Sequence, residues 1–256
     1  MKARVLSVYD EGSLPSTSLI GAKGIAILVD VDNERTLFDT GLRGNYLTHN
    51  MDHLDVTTDS IDRVVISHMH SDHIGGLPAL MEKRSKQLDV ILPPGYEGAR
   101  ETKFLGIPIR RAGLPSMPSE DVKKMNITVA DEWTQLSENL FITGVPQDGI
   151  KENSLVLLSK NGAILICGCC HRGLSDMISY VEERTRKKVS TVIGGLHLMK
   201  KNKEEAYGTA ELLIGKRIVP YLNHCCGQTQ RMHIREKTGL KAVNEFYVGT
   251  EILFDV

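Results

Sequence analysis

The decapeptide Ser67–Gly76, SHMHSDHIGG, constrains this chain more than any other stretch. It follows an apolar run that reads as a strand and leads into a segment with helical periodicity. His68, His70, Asp72 and His73 therefore stand where a strand ends and a helix starts. His68 and His70 alternate, so in extended chain they share a face. Asp72 and His73 turn into the first helical turn. Neutral imidazole and carboxylate suit Zn²⁺, Fe²⁺ or Mn²⁺, and Gly75 and Gly76 let the backbone pack closely. Three of the nine histidines fall within these few positions, so chance clustering of surface histidines is the weaker reading.

Apolar runs predict strands at Val5–Tyr9, Gly24–Val31, Thr36–Phe38, Arg63–Ser67 and Asp89–Leu92 in the first part of the chain. Later runs are Leu140–Thr143, Leu155–Ser159, Ala163–Cys167, Val189–Ile193, Arg217–Tyr221 and Glu245–Tyr247. Many are unbroken Val/Ile/Leu stretches, the pattern of strands covered on both faces. Helical spacing of apolar residues predicts helices over His73–Arg84, Gly173–Lys187 and Lys203–Gly215. A weaker candidate, Thr229–Thr238, is ended by Gly239. Each half holds strands, then strand, helix, strand. The order suggests a two-sheet sandwich with helices outside, one α/β domain over 1–256. The stretch 93–131 holds five of the nine prolines and few clean strands. It reads as a lid or specificity insertion, or as an ordered connection without function.

Four further strand ends carry polar residues that could complete a metal site. Asp39, in LFDTG, could orient a ligand histidine or form a simple Asx turn. Cys169 and His171, in CGCCHRG, are two apart and could face one site, whereas Cys167 and one other cysteine suit a buried apolar role. His197, in GGLHL, could touch substrate, move a proton or bind metal. His224, before Cys225, Cys226 and Gly227, is a further ligand candidate. His49, His53 and His233 lack such context and read as surface residues. No GxSxG elbow, P-loop or GxGxxG fingerprint is present.

Composition narrows the function classes. With 31 Lys plus Arg against 32 Asp plus Glu, the chain has no basic excess for nucleic acid and no acidic tail. No apolar run approaches the ~20 residues of a membrane span, and the start, MKARVLSVYDEG, lacks the apolar core of a signal peptide. Five clustered cysteines do not form a secreted disulfide framework. A reducing cytoplasm is the expected location.

These residues resemble the metallo-β-lactamase superfamily. LFDTG at Leu37–Gly41 is similar to its first motif, and SHMHSDHIGGL at Ser67–Leu77 to its HxHxDH motif. The resemblance implies a four-layer αββα sandwich with a metal site at one edge. GCCHRG, GGLHL and HCCG resemble a subgroup named for 7,8-dihydropterin-6-yl-methyl-4-(β-D-ribofuranosyl)aminobenzene 5′-phosphate synthase. Two departures stand out. The loop after Leu140–Thr143 reads TGVPQDG, without the usual ligand histidine, and Cys169 occupies the place of the usual bridging aspartate.

By resemblance, the ligand set is His68, His70, Asp72, His73, His224, His171 in the vacant histidine position, and Cys169. The cofactor is one or two divalent metals, Zn²⁺ first, with Mg²⁺, Mn²⁺ or Fe²⁺ open. Asp72 and His197 are the expected catalytic residues, Asp39 the residue behind the ligands, and Arg172 and His197 the expected substrate contacts. Arg110 and Arg111 are further phosphate candidates. The implied reaction is a transfer joining a dihydropterin methyl diphosphate to a ribofuranosyl-aminobenzene phosphate. The competing readings are a metal-dependent hydrolase of a phosphoester, lactone or thioester, a non-catalytic metal- or ligand-binding module, and a two-iron oxidoreductase fed by a partner. The expected partner is a phosphorylated small molecule, with no nucleic acid and no membrane. The oligomeric state stays open.

Overall fold

The computed structural model describes residues 1–97, 100–104, 107–145, 149–239 and 244–256. The first half runs β1 (Lys2–Tyr9), β2 (Ala26–Val31), β3 (Glu34–Phe38), α1 (Gly44–His53), β4 (Arg63–Val65), α2 (Ser71–Ile74), α3 (Leu77–Glu82) and β5 (Leu88–Leu92). A hairpin, β6 (Arg100–Phe104) and β7 (Ile107–Ala112), then leads through α4 (Ser119–Val122) to β8 (Met125–Val129). The second half is β9 (Thr134–Gln135), β10 (Leu140–Ile142), β11 (Leu155–Ser159), β12 (Gly162–Cys167), α5 (Leu174–Thr185), β13 (Val189–Gly194), α6 (Lys203–Lys216), β14 (Val219–Leu222), α7 (Gln228–Thr238), β15 (Asn244–Glu245) and β16 (Glu251–Asp255).

The strands form two seven-stranded sheets, ordered β16-β1-β2-β3-β4-β5-β8 and β15-β14-β13-β12-β11-β10-β9. Each sheet is antiparallel on one side and parallel on the other, where helices carry the crossovers. The C-terminal β16 returns to pair with β1.

Side-chain alternation makes the layers. In β2, Ile27 and Val29 enter the core between the sheets, while Ala26 and Leu28 face the helices α1 to α3. In β12, Ile164 and Ile166 face the other sheet, and Ala163, Leu165 and Cys167 face α5 to α7. Both faces are dry, so the unbroken apolar runs follow. Each buried Val, Leu or Ile side chain contributes roughly 1.5–3 kcal/mol by leaving water. The result is the expected αββα sandwich.

Three local expectations change. The helix expected over His73–Arg84 is two short helices, α2 and α3. They part at Gly75 and Gly76 because the chain there presses on the backbone after β3: Gly76 donates to the Gly41 carbonyl at 3.1 Å, and a Cβ on Gly76 would fall 2.9 Å from Leu47 Cδ2. Helix α1 replaces what the sequence leaves as connection; Leu47 and Met51 are its buried stripe. The stretch 93–131 contains a strand of the main sheet, since β8 pairs in parallel with β5. Within that stretch, 98–99 and 105–106 lie outside the described residues, as do 146–148 of the TGVPQDG loop.

Candidate metal centre

β1, β3 and β4 of the first sheet point the same way, as do β12, β13 and β14 of the second. The loops beyond their C-terminal ends meet at one edge of the sandwich, the usual place for a ligand site in open α/β sheets. A cavity of about 260 Å³ opens there. Its lining includes Glu11, His70, Asp72, Cys169, His197 and His224.

β4 delivers the HxHxDH segment. His68 is buried in extended chain, and its Nε2 lies 2.9 Å from His70 Nδ1. His70 is the N-cap of α2, whose single turn carries Asp72 and His73. Burial and then the neighbouring imidazoles push the His68 pKa well down, so this ring is neutral near pH 7 and free to ligate. Lys23 Nζ stands 3.5 Å from Asp72 Oδ2.

Asp39 follows β3 at φ 62° and is fully buried. Its Oδ1 accepts from Ser67 N at 2.7 Å. Its Oδ2 accepts from Ser67 Oγ at 2.7 Å and contacts His73 Nδ1 at 2.7 Å. That contact holds the proton on Nδ1 and aims Nε2 into the site.

β12 delivers the CGCCH turn. Glu152 anchors it: one carboxylate oxygen accepts from the N–H groups of Cys169 and Cys170 at 2.6 and 2.9 Å, the other from His171 N at 2.6 Å. Cys169 Sγ reaches 3.4 Å from His73 Nε2, and the His171 ring lies 5.0 Å from that of His68. Burial raises the Glu152 pKa, although three N–H donors oppose it.

β13 delivers His197, exposed, at φ 53° and 4.4 Å ring-to-ring from His171. β14 delivers His224, whose Nε2 is 3.2 Å from His73 Nε2. Two carboxylates beyond β1 hold His224: Asp10 accepts its N–H at 2.9 Å, and Glu11 contacts Nδ1 at 3.1 Å. Burial pushes the His224 pKa down, but the Glu11 hydrogen bond together with the charges of Cys225, Glu11 and Asp72 outweighs it, and the pKa rises to about 9. Burial, then the Glu11 charge, raises Asp10 to about 7.

The donor atoms form overlapping triads, each with all atoms within 4.8 Å: His68, His70 and His171; Asp72, His73 and His224; and three that share Cys169. A cluster of imidazole, thiol and carboxylate donors aimed at one another, backed by Asp39 and Glu11, has the chemistry of a divalent metal centre. The donor set therefore fits the metal expected from the sequence. All seven expected ligands come together here, and Asp39 stands behind His73.

Arg172 does not join them. Its guanidinium lies over the Tyr180 ring, 4.6 Å from the centroid, because the chain turns at Gly173 into α5. The side chains of Arg110 and Arg111 lie outside the described residues. His49 and His53 stand apart on α1, and His233 pairs with Glu236 on α7.

Sequence reasoning misses Asp10, Glu11, Glu152 and Cys225. For Asp10 and Glu11 a signal exists, an acidic pair directly beyond a buried strand. Cys225 shares the strand-end context of His224. Glu152 has no such local signal.

The sequence model of the metallo-beta-lactamase superfamily matches residues 23–169. A curated relative from Methanocaldococcus jannaschii, 7,8-dihydropterin-6-methyl-4-(beta-D-ribofuranosyl)-aminobenzene-5′-phosphate synthase, is 26% identical over 83% of this chain and 84% of its own length. Among solved structures, Tm1679, a metal-dependent hydrolase of the beta-lactamase superfamily, superposes with a TM-score of 0.79 at 23% identity over 98% of both chains. The short form of human tRNase Z superposes with a TM-score of 0.59 at 14% identity over 99% of this chain and all of its own. These two likenesses show the fold. Among the described residues no helix is long and apolar enough to cross a membrane. With the family matched across more than half its length, and the sandwich and strand-end donor cluster both present, this chain belongs to the metallo-beta-lactamase superfamily, among its enzymes.

Proposed function

We propose that this chain is a metal-dependent transferase that joins a dihydropterin methyl diphosphate to a ribofuranosyl-aminobenzene phosphate and releases diphosphate. The observation that carries this reading is the cavity itself. Its lining combines donor-cluster residues with Lys23 and Lys200, the charge pattern that recognises a phosphorylated substrate. The synthase-named relative, similar over most of both chains, supports the choice of pterin and arylamine. The five cysteines are free thiols, which suits a reducing compartment such as the cytoplasm.

His68, His70 and His171 would hold a metal on one side, and Asp72, His73 and His224 on the other, with Cys169 between. A bound divalent metal supplies Lewis acidity toward the diphosphate oxygens. Lys23 and Lys200 bind the remaining phosphate charge. The methylene C–O bond breaks with its electron pair leaving on diphosphate, and the arylamine nitrogen bonds to the methylene carbon. That nitrogen sheds one proton, which His197, the exposed imidazole of the group, accepts. Arg172, stacked on Tyr180, has no part in this scheme.

A hydrolase is the second reading, favoured by donor triads on both sides of one cavity, an arrangement suited to two metals and an attacking water. Incubating the metal-loaded protein with both substrates separates the two. The transferase releases one diphosphate per condensed product, and only when the arylamine is present. Diphosphate release without the arylamine, or turnover of simple phosphodiesters without condensation, would replace the transferase by the hydrolase.

A further inference from the structure

The five cysteines divide into two groups. Cys167, Cys170 and Cys226 pack into the core between the second sheet and its helices. Cys169 and Cys225 line the cavity instead. Cys225 has no place in the ligand set expected from the sequence, and its surroundings call for an explanation.

His224 sits at φ 48°, and its N–H is fixed by Asp10, so the short turn His224–Cys226 leaves β14 in a set direction. That turn brings Cys225 Sγ to the cavity beside His224. The donor atoms of Cys169, His224 and Cys225 lie within 4.8 Å of one another. A tetrahedral site with metal–sulfur bonds of about 2.3 Å and metal–nitrogen bonds of about 2.0 Å places its donors roughly 3.3–3.8 Å apart. The observed cluster therefore needs little movement to close on an ion.

Two features of the neighbouring loop serve this sulfur. The His197 N–H points at Cys225 Sγ from 3.1 Å. Backbone N–H groups aimed at a metal-bound sulfur stabilise its negative charge and tune the site. The same loop lies close to it: a Cβ on Gly195 would meet the Gly168 carbonyl oxygen first and would fall 2.6 Å from Cys225 Sγ. Glycine at 195 lets the β13 loop lie against the sulfur.

We infer that Cys225 is a metal ligand and that, with Cys169, it gives the His224 side of the centre two sulfur donors. The inference rests on reading the cavity as a metal centre, and it deepens that reading. The His68, His70 and His171 triad is all nitrogen, whereas the Cys169, His224 and Cys225 triad holds two sulfurs, so the two triads differ in softness. A position with two sulfurs selects Zn²⁺, Co²⁺ or Cd²⁺ over Mg²⁺ and Mn²⁺.

The test is cobalt substitution of the apo protein, read by absorption. Wild-type protein is expected to show near-ultraviolet sulfur-to-cobalt charge transfer beside the visible ligand-field bands. Cys225→Ser and Cys169→Ser should each remove roughly half of the charge-transfer intensity, and the double variant all of it. Unchanged intensity in Cys225→Ser overturns the inference. Visible cobalt bands without charge transfer in wild type overturn it too, while leaving the metal centre standing. Failure to bind cobalt, zinc or manganese removes the metal centre and the inference together. A second measurement needs no variant. Zinc-loaded wild type should resist iodoacetamide at Cys225, and chelation should expose it, as mapped by peptide mass spectrometry. Equal alkylation rates with and without metal overturn the assignment.

Discussion

Three donors converge on the buried carboxylate of Asp39, and they come from two places in the chain. Ser67 supplies its N–H and its hydroxyl, and His73 supplies Nδ1. Gly168 from the second sheet closes over them; a Cβ there would fall 2.8 Å from Ser67 Cβ. The carboxylate thus accepts every donor offered. Asp39→Asn keeps the shape and tolerates the left-handed backbone, but it replaces one acceptor by an NH₂ group. Either a Ser67 donor is stranded, or His73 shifts its proton to Nε2 and ceases to be a ligand. Zinc affinity, measured by competition with a chromophoric chelator, should fall by about 10–100-fold. Unchanged affinity would show that Asp39 does not set the tautomer of His73. Asp39 and the imidazoles are legible in the sequence because each stands at a strand end beside a glycine or in a dense motif. Glu152 is not, because the N–H groups that it binds begin 17 residues away across a sheet. Cys225 is hidden differently: its neighbour Cys226 is an ordinary core residue, and the sequence does not say which thiol faces the cavity.

At the scale of elements, tertiary contacts override local pattern in a few places. The glycine pair between α2 and α3 has a helical neighbourhood in sequence, yet it is where the chain touches the backbone after β3. Helix α1 is masked because its polar residues outnumber its apolar stripe. One of them, Asn50, is fully buried and bonds Val8 and Ile20 through its amide. Strand β8 alternates polar and apolar residues on an edge, so its signal is half that of the central runs. The long apolar strands were readable because both faces are covered. Between the two sheets, the β2–β3 turn makes a polar tie. Asp32, at φ 57°, accepts from Ser137 Oγ at 2.7 Å and from Asn139 N and Nδ2 at 2.8 and 2.9 Å. Burial raises its pKa slightly, but these donors outweigh burial and hold it below the ordinary value. A depressed folded pKa contributes stability above the unfolded value of about 3.9, and loses it as pH falls through the folded pKa. Asp32→Asn again keeps the left-handed turn. In urea unfolding at pH 7 it should cost about 1 kcal/mol, and the gap to wild type should close below about pH 4. A gap that stays constant through the acid range would assign the loss to shape and not to charge.

Across the whole molecule, the sheets meet in an apolar core, with polar loops from both at one edge. His68, His70, Asp72 and His73 belong to the first sheet's loops, and Cys169, His171 and His224 to the second's. Each candidate triad that includes a residue from one set and a residue from the other crosses that boundary. A bound metal therefore ties the two halves of the sandwich together at the edge where the apolar core stops. Binding to the folded chain alone stabilises it by RT ln(1 + [L]/Kd), about 4 kcal/mol when free metal is 1,000 times Kd. For a chain of this size that corresponds to a rise in melting temperature of roughly 8–16 °C. Chelated protein should melt lower by that order, and readdition of zinc should restore the difference. The loss has a place as well as a size. Amide exchange should speed up on chelation in the loops after β4, β12 and β14, while the central strands β2 and β12 keep their protection, since their bonds lie in the apolar layers. Equal melting temperatures with and without metal would mean that the apolar core alone joins the halves. Uniform loss of protection through β2 and β12 would mean that the metal supports the entire fold and not its edge.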